Sequence, residues 1–348
     1  MRIGIIGAGA LGSYIGYKLD SGGNEVLLLD RGKRAARIAR EGLRLKNALT
    51  SQVLEVNLPV LDVGDGSEEP DLSGVGEGAL DVLIVALRAH QVEAALPLIK
   101  AVADGSNDEV PVLMVGSYVS GMSEWVENLG AERVWFGFPG MSAVLEQDAS
   151  GAVVEFCERG ENDTEPWGVT LGRLHGKAAA TEATAEDPEN PEKEKNEAVY
   201  RVLSGSGIPV HHAKSMEAVF LSQALVRLPM LAALEFAGGT LDLLAARRDL
   251  LRLMIKAIRE GLGAVKKSGV RPVPDALEMY RWVPIFISVN MIKNRFDTIP
   301  SKIGIEKFAA RAGDELQTME SQFLELVARS TVEAEHLEQL LDGFEEDE

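Results

Sequence analysis

The chain opens Met1-Arg2-Ile3-Gly4-Ile5-Ile6-Gly7-Ala8-Gly9-Ala10-Leu11-Gly12, an apolar run of strand length that passes directly into glycines at the G-x-G-x-x-G spacing. Ile3 to Ile6 reads as a buried parallel strand, and helix-like sequence follows through Leu19. Each glycine has a mechanical task. Gly7 permits a tight strand-to-helix turn, Gly9 lets the main chain approach a diphosphate, and Gly12 allows close packing of the helix. The loop Gly7, Ala8, Gly9, Ala10, Leu11, Gly12 is therefore assigned to dinucleotide binding, with the helix tip offering N–H groups and a partial positive charge.

A second strand, Glu25 to Leu29, leads to Asp30 and Arg31, near the offset of roughly 20 residues at which such a unit selects its ribose. The two side chains point in opposite directions chemically. A carboxylate accepts the ribose hydroxyls of NAD, whereas a guanidinium suits the 2′-phosphate of NADP.

Further apolar runs, 82–87, 110–115 and 133–138, alternate with a helical pattern over 91–102. Buried strands alternating with helices mean a doubly wound parallel sheet. Two more strand-like pieces, 152–157 and 168–174, are expected as an antiparallel extension at the sheet edge. The acidic Ala/Glu/Pro-rich stretch from about 177 to 197 reads as a loop insertion, followed by a helix over 196–203 and a short strand over 208–211. From Ser215 onward strand signals vanish, and helices are expected over 216–236, 241–267, 275–294 and 305–328. The fold class is thus α/β: an N-terminal Rossmann sheet over 1–213, an all-α domain for substrate or dimerisation over 214–335, and an acidic tail over 336–348.

Composition narrows the classes of partner. The formal net charge of -19 over 348 residues opposes binding to nucleic acid or an anionic membrane. No run of 18 uninterrupted apolar residues occurs, so a cytoplasmic protein is expected. Cys157 is the single cysteine and alternates like a strand residue, which excludes an internal disulfide and gives no zinc cluster. His211 and His212 are adjacent, so on a strand they face opposite sides and do not share a metal; no metal is expected. Long amphipathic helices in the second half could meet a twin subunit as a homodimer or their own domain, and the pattern does not separate the two.

Together these features resemble the ketopantoate reductase (2-dehydropantoate 2-reductase) family over nearly the whole chain. The residues that carry the resemblance are Gly7 to Gly12, Arg31, Val85-Ala86-Leu87-Arg88-Ala89-His90-Gln91, Ser215 to Val219, Ala257 to Gly261, and Ile299-Pro300-Ser301. The resemblance implies a Rossmann domain, a helical domain and reduction of a small keto acid with NADPH; NADP is favoured over NAD on this ground. It places Arg88 and Gln91 near the cofactor, where the family has a lysine after the fourth strand. The chain departs from the pattern elsewhere. Ser117-Tyr118-Val119 stands where the family has Gln-Asn-Gly, Gln223 where it has the catalytic lysine, and Arg227 where it has a second asparagine; Ser301 matches the family serine and Glu315 matches the family glutamate approximately.

Gln223 and Arg227 lie four residues apart on one expected helix and share a face. Arg227 is assigned to a substrate carboxylate, Gln223 to a hydrogen bond with a carbonyl, and Tyr118 is a candidate phenol donor of the proton that a keto reduction needs. Two other functions remain open at this point: a non-catalytic NAD(P)-binding sensor or scaffold, and an NAD-linked dehydrogenase of another small substrate.

Overall fold

Ile3, Gly4, Ile5 and Ile6 are buried in β1 (Arg2–Ile6), as a strand in the middle of a parallel sheet requires. The computed structural model describes residues 1–64, 72–76, 80–106, 110–158, 167–175 and 191–341. After β1 come α1 (Ala10–Ser21), β2 (Glu25–Asp30), α2 (Gly32–Glu41), β3 (Leu43–Asn47), β4 (Val53–Val56) and β5 (Val60–Asp62). Then follow β6 (Val82–Val85), α3 (Ala89–Ser106), β7 (Val112–Val115), α4 (Met122–Leu129) and β8 (Val134–Pro139). The first half closes with β9 (Ser142–Asp148), β10 (Gly151–Cys157), β11 (Val169–Gly172), α5 (Pro191–Gly205) and β12 (Val210–His212).

Among the described residues one sheet runs β12-β11-β8-β7-β6-β1-β2-β5, with every neighbouring pair parallel except β8 and β11. This is the expected doubly wound sheet, and β11 supplies the expected antiparallel pairing. The second strand expected at that edge lies elsewhere. β10 turns back on β9 through Gly151 (φ +113) and also pairs parallel with β3, forming a separate sheet β4-β3-β10-β9. Its Phe156 packs on Tyr14 of α1 at 5.0 Å between ring centroids, so burial against the helix decides where the strand goes.

Of the acidic stretch, 177–190 lies outside the described residues, and 191–197 belongs to α5 rather than to a loop. Pro191 stands at the first helical position, where its missing N–H costs nothing. In β12, His211 Nε2 meets the Trp167 carbonyl at 3.0 Å, while the His212 ring stacks on Tyr200. Cys157 is buried.

The chain divides into two compact units. The first takes Met1–Ser117 and Gly121–Met216; the second takes Tyr118–Ser120 and the chain from Glu217 onward. The second is helical: α6 (Met216–Phe236), α7 (Leu241–Ala246), α8 (Arg248–Lys267), α9 (Met279–Trp282), α10 (Ile285–Phe296), α11 (Ile299–Ser301), α12 (Phe308–Ala312), α13 (Asp314–Ser330) and α14 (Glu335–Leu341). By length and composition α6 could cross a membrane, yet 67% of that window is buried, and its leucines form the core with α8.

Three helices expected as continuous are broken. The run over 241–267 parts at Arg247, which is neither helix's interior. Pro284 lacks an N–H and forces Val283 extended, separating α9 from α10. Gly313 at φ +39 separates α12 from α13. The expected acidic tail begins instead with a helix: Leu337 and Leu340 of α14 are buried, and Glu260 Oε2 accepts the Leu337 N–H at 2.8 Å. Their spacing of three puts both leucines on one face of an otherwise acidic segment.

On α13, partial burial pushes the Glu320 carboxyl up to about 7, and the Glu235 carboxylate adds to the shift. A carboxyl with a raised folded-state pKa costs stability as pH climbs; the cost is absent below its ordinary value of 4.5 and complete above 7. Glu320→Gln is expected to raise stability at pH 8 by about 1 kcal/mol, discounted for the side chain's partial hydration, and to change nothing near pH 4. Urea unfolding at the two pH values measures it, and a variant no more stable at pH 8 refutes it.

Candidate functional site

β1 lies between β2 and β6 where the strand order reverses, so the carboxyl ends of β1 and β6 open the crevice in which such sheets bind ligands. The loop after β1 is held tightly there. Gly7 (φ +97) donates its N–H to Leu29 O at 3.0 Å, and Ala86 N–H reaches Ile6 O at 2.9 Å. A Cβ on Gly7 would lie 2.8 Å from the Ala86 carbonyl oxygen; one on Gly12 would lie 2.0 Å from the Gly7 carbonyl oxygen. Neither contact is physically available to a side chain.

Gly9 differs: a Cβ there would meet nothing within 4 Å. It caps α1 with extended backbone, its carbonyl accepts the Ser13 N–H at 2.9 Å, and no side chain caps the helix. Ala8, Ala10 and Leu11 complete the turn. An open main-chain surface at a helix tip, walled by two glycines that exclude side chains, fits the diphosphate of a dinucleotide.

Asp30 ends β2 with only 8% of its surface exposed. Its Oδ2 accepts Ala8 N–H at 2.8 Å, its Oδ1 accepts Arg31 N–H at 2.7 Å, and the Arg34 guanidinium pairs with Oδ2 at 3.2 Å. The carboxylate thus ties the glycine loop to the start of α2. Arg34 escapes the sequence reading, although its spacing of four from Asp30 across the β2–α2 junction is a signal for such a pair. Arg31 is the half-buried N-cap residue of α2.

After β6, Arg88 and His90 are exposed. The Gln91 side chain accepts the Arg88 N–H at 3.2 Å, so its amide oxygen serves the first turn of α3.

In the helical unit, Gln223 and Arg227 are both half-buried on α6, which runs unbroken through them. The Arg227 guanidinium lies 4.1 Å from the Phe308 ring centroid and donates to Gly304 O at 3.1 Å. Desolvation lowers its pKa from the ordinary arginine value, and the Glu315 carboxylate opposes that shift. Gly304 belongs to a π-helical turn, Lys302–Lys307, whose Glu306 also accepts the Leu241 N–H at 3.1 Å. Ser301 stands just before this turn, its hydroxyl 2.8 Å from that of Thr298, the N-cap of α11.

Tyr118 is 1% exposed and packs edge-on against Phe220 at 5.2 Å. Burial, with the Glu315 charge second, raises its pKa above that of an ordinary phenol, so it holds its proton tightly. A phenol in that state is poorly matched to proton donation at neutral pH. The structure therefore brings together Arg227, Phe308, Gly304 and the turn after Ser301, with Glu315 acting electrostatically on both Arg227 and Tyr118. Among the described residues no group of acidic, histidine and cysteine side chains could hold a metal ion.

A glycine cradle at the switch point of a doubly wound sheet, followed along the chain by a helical unit, defines a dinucleotide-binding fold class. Residues 3–154 match the family "Ketopantoate reductase PanE/ApbA" and are a domain of that family. The "Uncharacterized oxidoreductase YkpB" of Bacillus subtilis (strain 168) is 30% identical over 114 residues, which cover 32% of this chain and 33% of that protein. Among solved structures, 2-dehydropantoate 2-reductase from Geobacter metallireducens GS-15 aligns with TM-score 0.70 at 15% identity, covering 98% of each chain. D-mandelate dehydrogenase with NADH and anilino(oxo)acetate aligns with TM-score 0.71 at 17% identity, covering 98% of this chain and 96% of the other. The chain has the ketopantoate reductase fold.

The glycine loop yields a paired expectation. Gly12→Ala is expected to cost about 3 kcal/mol or more, since a main-chain carbonyl must move, whereas Gly9→Ala changes stability by no more than about 0.5 kcal/mol. Chemical denaturation of the two variants measures the difference, and equal midpoints would contradict the close-packing account.

Proposed function

We propose that this chain is a nicotinamide-dependent reductase of small 2-oxo carboxylates and that it takes NADPH. The observation that carries the reading is the open main chain at Gly9, set between Gly7 and Gly12 at the switch point. Main-chain amides of the loop and the first turn of α1 would hold the diphosphate. Arg31 would hold the 2′-phosphate, because the Asp30 carboxylate is engaged with two main-chain N–H groups and Arg34 and is not presented to a ribose. The nicotinamide ring supplies hydride when bound.

Arg227 would bind the substrate carboxylate. Its face rests on Phe308 and one Nη is directed at Gly304 O, which orients the planar fork before any ligand arrives. Gln223, on the same face of α6, would donate an amide hydrogen bond to the keto oxygen. The solved neighbour in complex with NADH and anilino(oxo)acetate is consistent with an oxo-acid substrate class. Ketopantoate is one member of that class.

An amide stabilises a developing alkoxide without delivering a proton, and a positioned general acid is worth about 10²–10⁴ in rate. Turnover of a 2-oxo acid panel with NADPH is therefore expected to be slow, and Gln223→Lys is expected to raise it at least about tenfold. Stopped NADPH oxidation at 340 nm is the assay. The amide at Gln223 also favours a second reading, a dinucleotide-binding sensor or scaffold. Calorimetric binding of NADPH with no turnover in either the parent or Gln223→Lys would replace the reductase reading by that one.

A further inference from the structure

We infer that Arg34 sets the preference for the 2′-phosphorylated coenzyme, acting through Asp30 as a positioning residue. This rests on the reading of the Gly7–Gly12 loop as a nicotinamide dinucleotide cradle. An acidic residue at the end of β2 ordinarily offers both oxygens to ribose hydroxyls and repels a phosphate placed there. Here the acid is retained and the oxygens are occupied: Oδ1 by the Arg31 N–H at 2.7 Å, Oδ2 by the Ala8 N–H at 2.8 Å and by Arg34 Nη1 at 3.2 Å. With roughly four lone-pair sites on a carboxylate, three contacts leave little for a sugar.

Charge gives the second half of the argument. The Asp30 carboxylate is desolvated, with 9% of the side chain exposed, so its field is poorly screened by water. Arg34 stands one turn along α2 with 45% of its side chain exposed, and it alone among the described residues forms an ion pair with Asp30. Without Arg34 the buried Asp30 charge would stand without an ion-pair partner beside the Arg31 main chain, opposing a phosphate held there. With Arg34 in place the Asp30 charge is cancelled, and among the described residues Arg31 makes no ion pair of its own. Among the described residues Asp62 is a second carboxylate at this corner; its Oδ1 accepts the Gly32 and Gly64 N–H groups at 3.0 and 3.1 Å. Arg34 is thus the residue that lets one loop keep a structural carboxylate and still receive a phosphate.

The test is calorimetric titration of the full chain with NADPH and with NADH. Arg34→Gln is expected to lower the ratio of NADPH to NADH affinity about tenfold, and Arg34→Lys to restore most of it. In an Asp30→Asn background there is no charge to cancel, so adding Arg34→Gln is expected to leave the ratio nearly unchanged. Arg34 is half-exposed on a helix surface, so its single variants are read on a folded protein, checked by matching unfolding midpoints. An unchanged ratio in Arg34→Gln overturns the inference, and so does an equal loss in the Asp30→Asn background, which would mean that Arg34 grips the phosphate directly. A parent chain that prefers NADH overturns it while the nicotinamide reading survives; a parent that binds neither coenzyme overturns both.

Discussion

The turn from β1 into α1 has no room for a side chain at Gly7 or at Gly12, and much of the first unit follows from that. Because Gly12 sits against the Gly7 carbonyl oxygen, the first turn of α1 is pressed onto the end of the strand that carries the loop. The helix is then held from its other side. Tyr14 and Tyr17 rest on Phe156 of β10, Tyr14 donates to Glu158 at 2.7 Å, and Lys18 pairs with the same carboxylate at 3.1 Å. Burial, followed by the Glu158 charge, raises the Tyr14 pKa, which keeps the phenol a donor. A helix fixed at both faces cannot tilt away from the crevice, so its bare N–H groups keep their aim.

The helical unit solves a different problem, the placing of a cation in a largely leucine-lined core. Arg227 is held by a ring face and a carbonyl, contacts that suit a weakly hydrated planar cation better than a lysine ammonium. The carbonyl comes from a π-helical turn, where the wider i→i+5 loop turns some main-chain groups out of the regular ladder. Two elements anchor that turn, α6 through Arg227 and α7 through the Leu241 N–H on Glu306. The residues just upstream, Thr298 and Ser301, are linked by their hydroxyls. The local order there is polar and directional, unlike the leucine packing of α6 on α8.

These two sites were unequally legible in the sequence. The glycine loop could be read because its constraint is local: six residues, three of them glycines each with its own mechanical task, between a strand and a helix. The doubly wound sheet could be read for the same reason, since β1, β6 and β7 are short uninterrupted apolar runs. β3 and β4 could not, because they carry Arg44, Lys46 and Glu55 and owe their pairing to distant β10 and to each other. α14 was hidden for the opposite reason, its two buried leucines lying just ahead of the acidic run Glu345-Glu346-Asp347-Glu348 that dominates the segment's composition. Arg227 was legible as a residue of interest from its position four after Gln223, but Phe308 and Gly304 lie far along the chain and carry no motif. Arg34 is the instructive case: Asp30 is legible at the end of β2, but its pairing with Arg34 depends on α2 starting two residues later, which no motif announces.

The Asp30–Arg34 pair bears on how so acidic a protein would receive an anionic coenzyme at all. A net charge of -19 repels phosphate at long range, but at physiological ionic strength the Debye length is about 8 Å, so distant carboxylates contribute little to a bound group. What counts is the charge within one or two side-chain lengths of the phosphate. At the start of α2 the sequence places Arg31, Lys33 and Arg34 within four residues, beside Asp30, which is already paired, and Asp62, which accepts the Gly32 N–H. Farther along the same helix come Arg37 and Arg40, the latter paired with Glu41. The sign along α2 is therefore positive although the whole chain is strongly negative, and the two scales serve different ends. The overall charge opposes extended polyanions, which must span many repulsive sites, while the short basic corner would accommodate the single phosphate proposed above.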